Sequence, residues 1–396
     1  PIIKPKTSSH KSSPQPKAKY TSTQTKSQSN KFDQLFSNSK CQGSGSAPFT
    51  ASPMRPQDVG LIIPLGSMVG GHVTPVDHQY FYPIGWNAGG ADVPIFSPAD
   101  GVIVSVFRYL STRNIEGLES KDGYDMIIEH SCTFYTKLGL LTGISGEIAK
   151  QVGSVEPGRE KDVRVPVKAG QQVALVGGQS LDLFTLDLHT PPKQWIVPGH
   201  YNDSDGLKIY ITDPFLYFTE SIKTALLTKN PRTVEPRGGR FDYDIDGRLV
   251  GTWFLKGTNG YTGNDPTAQG YWRGHLVFAY NAVDPSSVEV SLGSWGGSTN
   301  GFQFAVKNNT PDPKDVSVSS GIITYELTDD YFVKPDGGIW SRDAYAGPVR
   351  RYPSKNARGV ILVQMINDRL IKVEKFPGKD AGQVNGFSPA AELYER

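Results

Sequence analysis

Short apolar runs, each stopped by glycine, proline, asparagine or aspartate, recur along this chain from Leu61 to Phe376, and that punctuation leaves little room for long helices. The runs include Leu61-Ile62-Ile63, Ile103 to Phe107, Asp125 to His130, Cys132 to Tyr135 and Gln172 to Val176. A second series covers Leu249 to Leu255, His275 to Tyr280, Ser287 to Leu292, Phe302 to Val306, Ile322 to Leu327, Val360 to Ile366 and Leu370 to Phe376. With 43 glycines, 29 prolines and 37% hydrophobic residues, the composition fits strands and turns. The expected class is all-β. One short helix is expected from Ile222 to Leu227, ending before Asn230-Pro231, because proline disfavours helix at the residue before it. No apolar run is long enough to span a bilayer, so no membrane-spanning segment is expected.

The pattern divides the chain. Residues 1–45 are rich in Ser, Thr, Lys and Pro and hold too little apolar surface to offset the entropy of ordering, so they read as a disordered stalk. The chain starts at Pro1 without a methionine, which suggests a processed or trimmed N-terminus. Residues 46–227 form a first β domain, and 228–240 a charged, turn-rich linker. Residues 241–396 form an antiparallel β-sandwich or barrel, with Asn367-Asp368 turning its last hairpin. Gly251-Thr252-Trp253 opens that domain and resembles the start of lipocalin-like barrels, which would make it a ligand carrier if the barrel enclosed an apolar cavity.

The net charge is +2, but residues 1–40 carry eight lysines against one aspartate. The folded part is therefore mildly acidic, which argues against nucleic acid as a partner. Cys41 and Cys132 are the chain's two cysteines; they either pair, pinning the stalk to the first domain, or remain separate thiols.

The candidate chemistry lies in two segments, Gly71-His72-Val73-Thr74-Pro75-Val76-Asp77-His78 and Asp187-Leu188-His189. Histidine and aspartate are the residue types that hold zinc while leaving a position open for water. Between them lie the turns Pro98-Ala99-Asp100-Gly101 and Lys168-Ala169-Gly170-Gln171, and the hairpin Tyr124 to His130 followed by Phe134-Tyr135-Thr136-Lys137-Leu138. Over about residues 60–195 these ordered segments resemble the lysostaphin-like zinc endopeptidases that cut peptidoglycan cross-bridges. A duplicated hybrid-motif β domain, as in biotinyl-carrier-like and sugar-transport barrels, uses similar glycine turns without any metal.

The resemblance implies a zinc held by His72, Asp77 and His189, whose bound water would attack a peptide carbonyl. Four residues separate His72 from Asp77 where the family has three, so on a regular strand they face opposite ways unless Thr74-Pro75 introduces a bend. His78, on the same face as His72, is the alternative ligand. Where the family carries proton-transfer histidines, this chain has Asp187 and Lys137. Asp187 as a base, Lys137 as an oxyanion partner and His130 as a substitute are the catalytic candidates.

Two functions follow. One is a secreted or cell-envelope, extracytoplasmic protein with a degenerate site that binds or scaffolds wall peptide or glycan. The other is an active zinc metalloendopeptidase on peptidoglycan-type peptides.

Overall fold

The computed structural model describes residues 40–88, 91–110, 122–190, 194–202, 207–263, 270–341 and 345–396. Most of the expected stalk therefore lies outside the described residues. The first domain contributes β1 (Val59–Ile63), β2 (Gln79–Pro83), β3 (Val93–Phe96), β4 (Gly101–Leu110), β5 (Asp122–Ser131), β6 (Phe134–Leu141), β7 (Gly143–Ile144), β8 (Arg159–Val167), β9 (Gln172–Val176) and β10 (Leu181–Asp187). Its helices are α1 (Gly146–Val152), α2 (Gly199–Asn202) and α3 (Glu220–Leu227). The class is all-β, and α3 is the helix expected before Asn230-Pro231.

Seven strands form one sheet in the order β1-β2-β10-β6-β5-β4-β8, and β3-β9-β7 form a smaller one. Both sheets feed one apolar cluster that includes Ile62, Phe81, Ile103, Met126, Leu183 and, from the smaller sheet, Ile95 and Val173. Alternation along each strand sends these side chains inward, and each fully buried Leu, Ile, Val or Phe contributes roughly 1.5–3 kcal/mol.

The two glycine turns touch. Asp100 accepts a hydrogen bond from the Ala169 backbone N–H at 2.9 Å and pairs with Lys168 at 2.8 Å. Gly170 has φ of 77°, a left-handed conformation that L side chains seldom adopt. Gly101 is needed for a different reason: a Cβ there would sit 2.7 Å from the Glu129 carbonyl oxygen.

Cys41 and Cys132 are bonded to each other. Cys132 lies in the β5–β6 turn rather than in a strand, because Ser131 Oγ accepts from the Thr133 N–H at 3.2 Å and closes the turn there. Residues 41–45 are docked rather than free. The Gly45 N–H donates to Thr133 Oγ1 at 2.7 Å, and the Cys132 N–H donates to the Gly43 carbonyl at 3.1 Å.

The second domain is β11 (Gly251–Leu255), β12 (His275–Tyr280), β13 (Val288–Leu292), β14 (Phe302–Val306), β15 (Ile322–Val333), β16 (Arg350–Asn367), β17 (Leu370–Pro377) and β18 (Glu392–Glu395). These close into a barrel, which decides between the sandwich and the barrel. Its last large hairpin turns at Asp368-Arg369, one residue later than expected, because Asn367 Oδ1 accepts from the Arg369 N–H at 2.8 Å. The apolar cluster inside the domain includes Trp253, Phe278, Tyr325, Leu327, Ile361 and Val363. An eight-stranded barrel can be filled by side chains or hold one small ligand, and here these large side chains pack against one another in the interior. Trp253 Nε1 donates to the Leu249 carbonyl at 2.8 Å, and the Arg396 guanidinium lies 4.1 Å from its ring.

The 228–240 segment, expected as a linker, is packed against its neighbours. Asn230 and Arg232 are buried, and Arg232 donates to the carbonyls of Val234, Pro236 and, across the domain boundary, Ala282. Gly70 and Gln303 make a second tie, with the Gly70 N–H donating to Oε1 at 2.8 Å and Nε2 donating back to the Gly70 carbonyl at 3.1 Å. An apolar cluster joins Leu61, Val76 and Tyr80 of the first domain to Phe332, Trp340 and Val349 of the second.

Candidate functional site

Strand pairing sorts the sequence candidates into two groups at opposite ends of the large sheet. Thr74-Pro75 ends the preceding loop, Asp77 and His78 follow, and β2 begins at Gln79. In register, Leu183 pairs with Gln79, Asp182 with Tyr80, and Phe184 with Lys137. Residues two apart on a strand share a face, so Asp182 and Phe184 point the same way, towards Lys137 and His78. Leu181 and Leu183 point into the core.

His78 is clamped between carboxylates. Its Nδ1 donates to Asp77 Oδ1 at 3.1 Å, and its Nε2 lies 3.4 Å from Asp182 Oδ2 without an aligned hydrogen bond. Asp182 Oδ1 also accepts from Ser180 Oγ at 3.1 Å. The imidazole is walled by Phe184 and Tyr80, at ring-centre distances of 4.4 and 4.8 Å.

Two ammonium groups complete the cluster. Lys208, only 3% exposed, places Nζ 3.2 Å from Asp77 Oδ2 and 3.3 Å from the Pro75 carbonyl. Its charge also faces the rings of Tyr261 and Phe241 at 5.1 and 5.9 Å. Lys137 pairs with Asp125 at 3.1 Å and sits 4.7 Å over the Phe184 ring. Burial alone would raise the Asp77 carboxyl, but Lys208 and the hydrogen-bonded His78 outweigh it and hold the group well below the usual carboxylate range.

The remaining candidates lie elsewhere. Asp182 and Asp187 are five residues apart on β10, about 16 Å at the rise of a strand. At that far end Asp187 accepts from the Tyr217 hydroxyl at 2.8 Å and from the His189 N–H at 2.9 Å. His189 follows the strand in an exposed turn. His130 is tied to the Asp100 carbonyl at 2.8 Å and to Thr136 Oγ1 at 2.9 Å, beside the rings of Phe49 and Phe134. Burial pushes the His130 imidazole down to about 4, despite the hydrogen bond to Asp100. Its contacts are those of a hydrogen-bonded core histidine.

The structure thus brings Asp77, His78 and Lys137 into one cluster. His72 stands at its edge, its ring 5.9 Å from that of His78. Asp187, His189 and His130 are not brought to it. Sequence reading missed Asp182, Lys208 and Asp125. Asp182-Leu183 and Asp187-Leu188 are both Asp-Leu pairs, and of the two the second is followed by a histidine. Strand register distinguishes them, since Asp182 and Phe184, not Asp187 and His189, face the His78 side.

These residues do not fit the implied zinc. Among the described residues no three His, Cys, Asp or Glu side chains gather into a set that could hold a metal ion. Phe184, which has no donor atom, takes the place beside His78, and the charge opposite Asp77 is already an ammonium. A divalent cation there would have to displace Lys208 and break the Asp77–His78 contact.

No family model matches the chain, and no curated protein matches it. Among solved structures it is similar to the NMR solution structure of lysostaphin, at 13% identity, over 88% of this chain and 92% of that one, with a TM-score of 0.23.

Proposed function

We propose that this chain is an extracytoplasmic, envelope-associated protein whose first domain is peptidase-like and binds or scaffolds wall peptide or glycan rather than cleaving it. The observation that carries the reading is the Lys208–Asp77–His78–Asp182 array. Asp77, the carboxylate that the zinc reading needs as a ligand, is already engaged by the Lys208 ammonium and the His78 Nδ1–H. The same array leaves no water-activating centre but keeps charged and aromatic groups side by side. The Cys41–Cys132 bond supports an oxidising compartment.

Sedimentation with purified peptidoglycan, run beside a dye-release assay and zinc analysis, tests the proposal. Co-sedimentation without dye release, and with zinc well below one per chain, is the expected result. Dye release that tracks stoichiometric zinc would overturn it.

The competing reading, an active zinc endopeptidase, draws on the proximity of His72 and His78. It requires His189 to reach them from beyond the far end of β10. Zinc that is stoichiometric in the natural protein and lost in His189→Ala would establish it.

A further inference from the structure

A second site lies away from His78, in a groove of about 520 Å³ between the 228–240 segment and the arm made by the end of β15 and the start of β16. That volume lies within the range of small-ligand and peptide sites. The walls are apolar and stiff, formed by Val234, Pro285 and Pro348. Tyr352 lines the groove, is 46% exposed, and stacks on Tyr331 at 5.8 Å with 27° between the rings.

The charges in the groove are not balanced at its surface. Asp284 is buried and already satisfied: Oδ1 accepts from Ser286 and Arg350, and Oδ2 from the Arg351 N–H at 2.9 Å. Arg351 is buried too, with its guanidinium on Asp330 and Ser287. Arg350 is different. Its side chain is 65% exposed, and its contacts to Asp284 at 3.3 Å and Ser286 at 3.4 Å both use Nη1. Asp284 therefore holds one corner of the guanidinium in place while the rest of its donor fork stays available at the groove.

We propose that this groove binds a carboxylate-bearing peptide, with Arg350 taking the carboxylate and the proline and tyrosine walls taking an apolar residue next to it. A guanidinium anchored at one corner is suited to a two-pronged hydrogen bond with a carboxylate. A bare inorganic anion would leave the apolar walls unused, and a neutral glycan would leave Arg350 unused. The site is independent of the His78 pocket, so either proposal can fail alone.

The test is a fluorescence-anisotropy titration of the full chain with a dansylated Ala-Pro-Ala-Glu peptide bearing a free C-terminus, compared with the amidated Gln counterpart. The acid form should bind at least about tenfold more tightly, a difference of about 1.4 kcal/mol. Arg350→Gln should erase that preference, Arg350→Lys should keep part of it, and Tyr352→Ala should weaken both peptides alike. Both side chains are exposed, so the variants should fold, and circular dichroism checks that they do. Equal binding of the two peptides, an unchanged Arg350→Gln variant, or no saturable binding would overturn the proposal. Displacement by a neutral chitin oligosaccharide together with equal peptide binding would mark a glycan site instead, and would also overturn it.

Discussion

Lys208 and Asp77 come from segments more than a hundred residues apart, and their charged atoms meet at 3.2 Å in a place nearly closed to water. Removing one partner of such a pair leaves the other charge buried without compensation. Lys208→Met should therefore lower stability by about 3 kcal/mol, read as a shift of the urea midpoint. Adding Asp77→Asn should cost far less than the sum of the two single changes, because the stranded charge is gone. Strict additivity would show that the pair is not coupled.

His275 should make the protein sensitive to acid. It is buried against Phe254 and stacked on Tyr261, and burial lowers its pKa from 6.5 to about 3. Between those values the unfolded chain takes up the proton and the folded chain does not. Stability is thus intact above pH 6.5 and falls progressively as pH drops towards 3. His275→Gln should flatten that part of a stability–pH curve measured by chemical denaturation.

Asp213 should act in the opposite direction. Burial raises its carboxyl from 3.8 to about 6, even though it accepts from the Phe215 N–H at 2.9 Å. Here the folded chain holds the proton longer, so stability declines as pH rises from about 4 to 6 and stays lower above that. Asp213→Asn keeps an acceptor for Phe215 and carries no charge. It should gain on the order of 1–2 kcal/mol at pH 7 and nothing near pH 3, measured by the same denaturation series.

The Cys41–Cys132 bond closes a 91-residue separation in sequence. Constraining a loop of that length in the unfolded chain stabilises the fold by about 2–4 kcal/mol. Reduction, or Cys41→Ser, should lower the melting temperature while leaving the far-UV circular dichroism of the barrel in place. An unchanged melting curve under full reduction would contradict this.

Arg396 spans Asp244, the Val250 carbonyl and the face of Trp253 while buried itself. Arg396→Met preserves much of the packing over the indole but strands Asp244. A loss of about 3 kcal/mol is expected, with Asp244→Asn restoring part of it. Thermal unfolding of the single and double variants checks both points.

Much of the fold was legible because it rests on local chemistry. The continuous apolar run of β12, the alternation Val288-Glu289-Val290-Ser291-Leu292 in β13 and the left-handed turn at Gly170 act over a few residues and can be read in order. The β5–β6 boundary moved by two residues because Ser131 bonds to the Thr133 backbone, a choice that hydrophobic pattern does not reveal. The site was less legible. Lys137 and His78 could be found from motif order, but Asp182 could be told from Asp187 only by knowing which residue on β6 faces which on β10.

The sequence by itself determined the β class and the residue types available for chemistry, because periodicity, turn residues and composition are properties of neighbours along the chain. Tertiary structure decided which of those residues meet. It placed Lys208 on Asp77, set Asp182 rather than His189 beside His78, and packed the 228–240 segment into the domain seam. Each of these contacts joins distant segments, and its energy depends on burial and distance in space, neither of which is set by the residues next to it in sequence.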